Sequence, residues 1–204
     1  MVTYIIIGIT SIVSFMAFSN RDLFNKLVFN AVAVHDHKEW YRLFSHGLLH
    51  ADFGHLLLNM FVLYSFGTAV EDYYFKMLFG TSSSFAFAVL YVTALPASSL
   101  YSYNKHKHNY TYNAVGASGA VAAVVFSSIL ISPLSTLLVW FVPVKAFIFG
   151  ALYLGYSWYM DRKGGDNVGH SAHFWGAVYG IVLTGVLRPV LFMNFVYQIQ
   201  SMFQ

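Results

Sequence analysis

The chain has 204 residues, of which 58% are hydrophobic and only 9% are charged, and its mean hydropathy is +0.60. A soluble domain usually carries about 25% charged residues, so this sequence has too little polar surface to face water on all sides. The net charge of +3 includes no long basic run, which gives no support to nucleic-acid binding. Because the chain has no cysteine, a disulfide, a thiolate metal site and a cysteine nucleophile are all excluded.

Apolar segments of membrane-spanning length follow one another along the chain, separated by charged residues. The predicted spans are residues 1–19, 54–70, 85–103, 114–131, 144–159 and 168–187. Pro133 ends the fourth span, and Lys145 lies at the start of the fifth, where its long side chain can reach the interface. We therefore expect an all-α, polytopic membrane protein, a single domain with six transmembrane helices.

The segments between the spans are expected to lie at the membrane surface. Residues 20–53 contain several charges and the aromatic anchors Trp40 and Tyr41, which favours a structured interfacial loop. The apolar stretch 134–143 and the tail 191–204 are also expected at the interface, the tail as a helix. Residues 161–167 include two adjacent glycines and are predicted to form a polar turn.

Six spans would place the loops after the first, third and fifth on one face of the membrane. All nine histidines fall on that face or in the adjoining helix ends. Spans two, four and six start there, so their first turns lie at similar depth. Polar side chains at membrane depth are costly and indicate function. His55, Asn59, Ser118 and His173 occupy these first turns and are expected to meet.

Ser118 is the candidate nucleophile and His173 its candidate base. The serine lies among small residues, in Gly116-Ala117-Ser118-Gly119, which leaves a peptide room to approach its hydroxyl. A nucleophilic serine also needs a neighbouring base to accept its proton, and His173 is the histidine at matching depth in span six. The alternative interpretation of both residues is helix packing with a hydrogen-bonded histidine.

Small residues at helical spacing provide a way for the two spans to touch. Gly176 and Gly180 share a helix face with His173, and span four repeats the pattern in Gly119 with Ala123 and in Gly116 with Ala120. Stripes of this kind let two backbones approach closely. If they face each other, Ser118 and His173 come within hydrogen-bond distance.

His55 and Asn59 lie one turn apart on span two and point the same way. Acyl transfer needs hydrogen-bond donors aimed at the oxyanion, and these side chains with the Ser118 backbone N–H would supply three. A polar clamp between helices is the alternative.

The histidines also allow a metal site to be considered. His46, His50 and His55 form one possible ligand group, and His170 with His173 another. However, the chain has no His-Glu-x-x-His motif, so this interpretation is the less favoured. Three further residues, Trp40, Arg42 and Glu71, are interpreted as structural.

Taken together, these residues resemble those of the rhomboid intramembrane serine proteases. The matching stretches are Trp40-Tyr41-Arg42-Leu43-Phe44-Ser45-His46, His50, His55-Leu56-Leu57-Leu58-Asn59-Met60, Gly67, Glu71, Gly116-Ala117-Ser118-Gly119, Pro143-Val144-Lys145-Ala146, and Gly169-His170-Ser171-Ala172-His173-Phe174-Trp175-Gly176 with Gly180. They cover nearly the whole chain in the same order as in the family.

The resemblance implies a six-span bundle whose site opens to water just below one membrane surface. Ser118 would attack a peptide bond in or near the membrane helix of a single-span substrate, with His173 as base and then as acid, and with no third carboxylate. His55, Asn59 and the Ser118 N–H would hold the oxyanion. The supporting positions would be Arg42, His46, His50, Glu71, Gly116, Gly119, His170, Gly176 and Gly180. Neither a metal nor an organic cofactor is implied.

The sequence departs from the family pattern at Ala122, where many members carry an aromatic residue that packs on the catalytic histidine. Trp175 and Phe126 are the candidates to replace it.

The membrane orientation is a second conflict between the sequence and the family pattern. Eight Lys and Arg lie on the histidine-bearing face and three on the other. The positive-inside rule would therefore place the histidine-bearing face in the cytoplasm, whereas the resemblance places the active site outside.

We follow the resemblance on orientation. A bacterial plasma membrane is the expected location because no targeting extension precedes the first span. Two rival functions are an inactive rhomboid-like protein that binds or escorts membrane proteins, and a histidine-based metal-binding membrane protein. The sequence does not determine the natural substrate or the oligomeric state.

Overall fold

The computed structural model describes residues 1–139, 141–166 and 168–204. Its α-helices are α1 (Val2–Ser19), α2 (Arg21–Leu27), α3 (Ala31–Asp36), α4 (Arg42–Ser45), α5 (Phe53–Thr68), α6 (Phe75–Phe79), α7 (Ser83–His106), α8 (Ser118–Ile131), α9 (Ala146–Lys163), α10 (His170–Leu187) and α11 (Val190–Gln200). Its antiparallel strand pairs are β1 (Phe29–Asn30) with β2 (Asn113–Ala114), and β3 (Thr136–Val139) with β4 (Val142–Lys145). The expected helical fold class is therefore observed.

Long helices occupy each of the six segments predicted as spans: α1, α5, α7, α8, α9 and α10. By length and apolarity, two helical stretches of the described chain qualify as membrane spans, Val2–Ser19 and Phe53–His106, or three if the bent pair α10 and α11 counts as one. The second stretch reverses direction at Gly80, where φ is +57° and α6 folds back against α7. These properties are those of a membrane protein, although they do not by themselves give six spans.

Helix α8 forms the centre of the molecule. Every residue from Gly119 to Leu130 is buried, and α5, α7, α9, α10 and α11 all pack against it. With only 14 residues it is shorter than a lone membrane helix needs to be. Its neighbours cover it on all sides, so its length is set by the bundle and not by lipid.

Glu71 ties three helices together at the end of the bundle away from Ser118. Its carboxylate accepts hydrogen bonds from Val2 N (2.7 Å), Thr3 N (2.8 Å), Thr3 Oγ1 (2.7 Å) and Ser84 Oγ (2.6 Å). The first two donors are free N–H groups in the first turn of α1, where a negative charge is favourable. The buried carboxylate is thus fully hydrogen-bonded, and it lies in a π-helical turn at Ala69–Tyr74 that follows α5.

The first loop is structured, as the sequence predicts, and it contacts the segment that leads to Ser118. It contains α2, α3 and α4, and strand β1 pairs with β2 in the register Phe29 with Ala114 and Asn30 with Asn113. Arg42 holds the loop together: its guanidinium donates to the Glu39 carboxylate, to Asn25 O at 2.8 Å and to Val28 O at 2.7 Å.

Several predicted boundaries differ from the observed helices. The fourth segment begins as a helix at Ser118 and not at residue 114, because residues 113–114 pair with β1 and Gly116 takes a φ of +120°. The fifth begins at Ala146 because the residues before it form the β3–β4 hairpin, which replaces the plain interfacial stretch predicted at 134–143. Trp140 in that stretch, and Asn167 at the end of the predicted polar turn, lie outside the described residues.

The chain turns sharply after α10. Helix α11 is bent by 111° from α10 and buries Leu191, while Met193, Val196 and Tyr197 stay exposed. It is the tail helix that the sequence predicts, beginning one residue earlier.

Candidate active site

Ser118 is the first residue of α8, and the turn before it shapes its surroundings. Gly116 has a φ of +120°, a value that side-chain-bearing residues rarely adopt, and its N–H donates to His46 O at 3.0 Å. A Cβ at Gly116 would lie 2.8 Å from Cε1 of His55 and 3.8 Å from Ser118 Oγ. The glycine therefore lets the His55 ring approach the serine side of the turn. Ser118 itself is half-buried.

Helices α8 and α10 touch through their backbones at the two predicted stripes of small residues. A side chain at Gly176 would overlap the carbonyl oxygen of Gly119, and one at Gly180 would overlap that of Ala123. A Cβ at Gly119 would in turn lie 3.3 Å from the carbonyl oxygen of Ala172. The residues beside these contacts are Ser118 and His173, so the first turns of the two helices are neighbours.

No hydrogen bond joins the two candidate catalytic side chains in the described part of the chain. The hydrogen bond of His173 is from its backbone N–H to Gly169 O, at 3.1 Å. Catalytic hydrogen bonds are often long or misaligned without substrate and tighten in the complex. The geometry therefore brings Ser118 and His173 to adjacent positions without the hydrogen bond expected from the sequence.

Tyr153 of α9 holds the His173 ring and was missed by the sequence reasoning. The two rings lie nearly parallel, with an interplanar angle of 29° and centroids 6.2 Å apart. Phe126 and Phe149 pack on the other sides of Tyr153, at 5.5 Å and 5.7 Å between centroids. Phe126 thus acts only through Tyr153, while Trp175 is 41% exposed and packs on other aromatic rings. The i, i+4 pair Phe149 and Tyr153 predicts an aromatic face on α9, but it does not indicate that this face meets His173.

His55 is oriented as a hydrogen-bond donor toward the Gly116 turn. Its Nδ1 accepts the N–H of Ala51 at 3.4 Å, which requires the proton to be on Nε2 in the neutral ring. That Nε2 is the atom that would lie 3.1 Å from a Cβ at Gly116. A neutral imidazole in this tautomer can donate to an oxygen next to Ser118.

Asn59 lies one turn further along α5 and is buried. Its side-chain nitrogen donates to His55 O at 2.9 Å, so one of its two N–H groups is used within its own helix. The other remains for the predicted oxyanion role, although the structure brings no partner to it in the described residues.

His50 lies behind His55 and is also fixed in one tautomer. The Ser14 hydroxyl donates to Leu48 O at 2.7 Å and therefore accepts from His50 Nδ1 at 2.9 Å. The rings of His50 and His55 are perpendicular, with centroids 4.9 Å apart. The Nε2 atom of His50 is buried and has no hydrogen-bond partner among the described residues. Burial, with the neighbouring His55 as a smaller cause, lowers the pKa of His50 to about 4.

His46 connects the first loop to α7. Its Nε2 donates to Ser99 Oγ at 3.0 Å, because that hydroxyl already donates to Leu95 O. Burial lowers the pKa of His46 to about 4, so the ring is neutral at pH 7. Together with its carbonyl, which accepts from Gly116, this residue links the loop to the turn before Ser118.

His170 begins α10 and lies beside His173, with perpendicular rings and centroids 6.1 Å apart. Its Nε2 lies 3.0 Å from the Asp166 carboxylate. The hydrogen bond from His170 holds the pKa of Asp166 below its usual value, so this carboxylate is charged at neutral pH.

The described histidines are engaged mainly in separate hydrogen bonds. Among the described residues, no group of three or more His, Asp or Glu side chains is placed to hold a metal ion. The group His46, His50 and His55 is separated by hydrogen bonds to Ser99 and Ser14, and His170 bonds a single carboxylate. The structure therefore favours hydrogen-bonding roles for these rings over metal binding.

Comparison with known proteins identifies the family. The Rhomboid domain matches residues 37–190, well over half of the chain, and this range contains every residue described above around Ser118 except Ser14. The protein belongs to the rhomboid family, which confirms the resemblance in the sequence. The family includes serine proteases.

One curated relative is RHOMBOID-like protein 12, mitochondrial, of Arabidopsis thaliana. It is 29% identical over 147 residues, which are 68% of this chain and 44% of that protein. The chain therefore spans less than half of that relative's length. Because the name of that relative places it in mitochondria, the comparison does not support the expected bacterial plasma membrane.

Proposed function

We propose that this rhomboid-family protein is an intramembrane serine endopeptidase that uses Ser118 as its nucleophile and His173 as its base. The observation that carries the proposal is the backbone contact of Gly119 with Gly176, next to which a serine and a histidine occupy adjacent first turns. Helix packing alone does not require a hydroxyl and an imidazole at that point, since both are costly to bury.

Cleavage would proceed by acyl transfer. His173 takes the proton of the Ser118 hydroxyl while Ser118 Oγ attacks the substrate carbonyl carbon. The oxyanion that forms is held by the Ser118 N–H at the open end of α8, by the Nε2–H of His55 and by the free N–H of Asn59. His173 then gives its proton to the leaving amine as the C–N bond breaks. In the second half of the reaction His173 takes a proton from water, which attacks the acyl carbon, and the proton returns to Ser118 Oγ as the ester bond breaks.

The remaining features of the proposal concern the membrane. We propose six spans, formed by α1, α5, α7, α8, α9 and α10, because the fold-back at Gly80 divides the longest helical run into two antiparallel parts. Substrates are proposed to be single-span membrane proteins that reach Ser118 from the bilayer. The active-site end is proposed to face the extracytoplasmic side or its organellar equivalent. No metal or organic cofactor takes part in the proposed reaction.

The test is cleavage of a single-span substrate by the purified protein in liposomes. Ser118→Ala and His173→Ala are expected to lower the rate by at least about 10³-fold, because the nucleophile and its base act as a unit. Two matched controls, Ser65→Ala on the exposed face of α5 and His108→Ala in an exposed loop, should leave the rate unchanged. A chelator should have no effect.

Other results would point to the rival functions. Substrate binding without cleavage by the parent protein would favour the inactive escort protein. Loss of activity with chelator would favour a metal-dependent reaction. Unimpaired cleavage by Ser118→Ala would exclude the serine mechanism.

A further inference from the structure

The proposed dyad has a carboxylate within reach that neither the sequence reasoning nor the family resemblance assigned to it. Asp166 lies in the loop between α9 and α10, and one of its oxygens is 3.0 Å from His170 Nε2. His170 lies one turn before His173 on α10. The order in space is therefore Asp166, His170, His173 and Ser118.

The hydrogen bond to Asp166 determines which nitrogen of His170 is free. A carboxylate only accepts hydrogen bonds, so His170 donates its Nε2–H to Asp166, and in the neutral ring Nδ1 is then an acceptor without a proton. This Nδ1 is buried and has no partner among the described residues, in a side chain that is only 6% exposed. A buried polar atom of this kind is normally satisfied by protein or by an ordered water molecule.

The distance to His173 fits one water molecule. The rings are perpendicular with centroids 6.1 Å apart, too far for a direct hydrogen bond. Two hydrogen bonds of about 2.8 Å through a single water join nitrogens up to about 5.6 Å apart, a separation that rings at this centroid distance allow. The donors and acceptors also match, because a protonated His173 donates to the water and the water donates to Nδ1 of His170.

We propose that Asp166 and His170 are positioning residues that act on His173 through a bridging water and stabilise the positive charge it carries after accepting the Ser118 proton. The inference rests on the proposed function. It supplies to this protein, indirectly, the negative charge that a third carboxylate would supply in a triad.

The other polar groups around the two rings do not provide that charge. Tyr153 and Tyr156 of α9 pack on His173 and His170, respectively, through their rings. His55 of α5 lies on the serine side and is neutral in the tautomer described above. Asp166 is therefore the anion that faces this pair of histidines among the described residues.

The experiment is the pH dependence of kcat/KM for Asp166→Asn, His170→Leu and the double variant. Each single variant is expected to lower kcat/KM by about 10-fold, in the range of one acid–base contribution. The inflection on the acidic side should move to lower pH by about half a unit, because loss of the anion makes protonated His173 less stable. The double variant should match His170→Leu alone, since the carboxylate acts only through that ring.

The control is Asp161→Asn, which removes a second carboxylate from the same end of the bundle, one that pairs with Lys105 at 3.9 Å. It should leave both the rate and the inflection unchanged. Thermal unfolding of each variant separates loss of fold from loss of positioning.

The outcomes separate the two proposals. If the parent protein cleaves but Asp166→Asn behaves like Asp161→Asn, or if its inflection does not move, the bridging role is wrong and the Ser118 mechanism stands. If the two single effects add in the double variant, the two residues do not act along one path and the proposal is also wrong. If the parent does not cleave any substrate, both proposals fail together.

Discussion

The two ends of the helix bundle differ in whether their buried polar groups are hydrogen-bonded within the protein. At one end, the Glu71 carboxylate accepts four hydrogen bonds from α1 and α7. At the other, His50 Nε2 and His170 Nδ1 are buried without partners among the described residues. A buried polar atom without a protein partner costs free energy unless a water or a ligand satisfies it, so such atoms beside a candidate site are places where a further group can bind.

One end of the bundle therefore has the features of a stabilising contact, and the other has the features of the proposed active site. The Glu71 end is complete without any ligand, and its side chains join helices that are distant in sequence. The histidine end is held by hydrogen bonds that define ring tautomers, such as the one that His50 donates to Ser14, but it leaves polar ring atoms without protein partners on the side of the molecule that contains Ser118. We therefore expect substitutions at the first end to change unfolding and substitutions at the second to change turnover.

Outside the proposed dyad, the largest effect on turnover is expected for Gly116→Ala. The added Cβ would lie 2.8 Å from the His55 ring, at a φ of +120° that alanine adopts only with strain. Displacing one oxyanion donor typically costs about 10²- to 10³-fold in kcat, and a loss of that size is expected here. The control is Gly8→Ala, where nothing lies within 4 Å of the new Cβ. Equal rates for the two variants would contradict the assigned place of His55.

The largest effect on stability is expected for Glu71→Gln. An amide replaces one accepting oxygen with a donor, which leaves buried donors of α1 or Ser84 unpaired, and the expected loss is about 3 kcal/mol. Turnover per folded molecule should not change. Asp72→Asn is the matched control, since Asp72 is exposed and its pair with Lys76 is a surface one at 3.5 Å. Thermal unfolding in detergent measures both, and a stable but inactive Glu71→Gln would contradict the division between the two ends.

A smaller loss is expected for Tyr153→Ala. Removing the ring that lies parallel to His173 lets the imidazole turn, and a misplaced base typically costs between 10- and 100-fold, of which we expect about 30-fold. Tyr153→Phe keeps the ring and should remain near the parent rate. If Tyr153→Phe lost as much turnover as Tyr153→Ala, the hydroxyl of Tyr153 and not the packing of its ring would be the important feature.

The smallest expected effect is the change in the free energy of unfolding for each unit of pH. Burial lowers the pKa of His46 to about 4, below the ordinary value of 6.5, so the unfolded chain binds a proton that the folded chain refuses between those values. The contribution of neutral His46 to the free energy of unfolding is therefore fully present above pH 6.5. It falls toward pH 4 by about 1.4 kcal/mol per pH unit for one such group. His46→Gln should show a shallower fall in the midpoint of thermal unfolding over this range. An unchanged slope would mean that His46 is not the group that titrates.

Much of this site is visible in the sequence because it depends on local spacing. The stripe Gly176 and Gly180 follows from helical periodicity, and the structure packs it against Gly119 and Ala123 as expected. The sequence predicts Gly116 as a small neighbour of the proposed nucleophile, and the structure adds its positive φ.

The features that were missed depend on long-range contacts or on competition between local structures. Tyr153 meets His173 only because α9 packs beside α10, and no spacing within one helix reveals that contact. The β3–β4 hairpin forms in an apolar segment whose composition fits an interfacial stretch equally well. The Asp166–His170 pair spans a loop and a helix start, where sequence patterns are weakest.

Whether Ser118 is the nucleophile is tested most directly by labelling the purified protein in liposomes with a fluorophosphonate and mapping the adduct by mass spectrometry. The reagent phosphonylates a serine hydroxyl that a neighbouring base activates. One adduct is expected, on Ser118; it should be absent from Ser118→Ala and should form much more slowly in His173→Ala. Substrate cleavage by a protein whose adduct maps to another residue, or cleavage retained in Ser118→Ala, would contradict this role of Ser118.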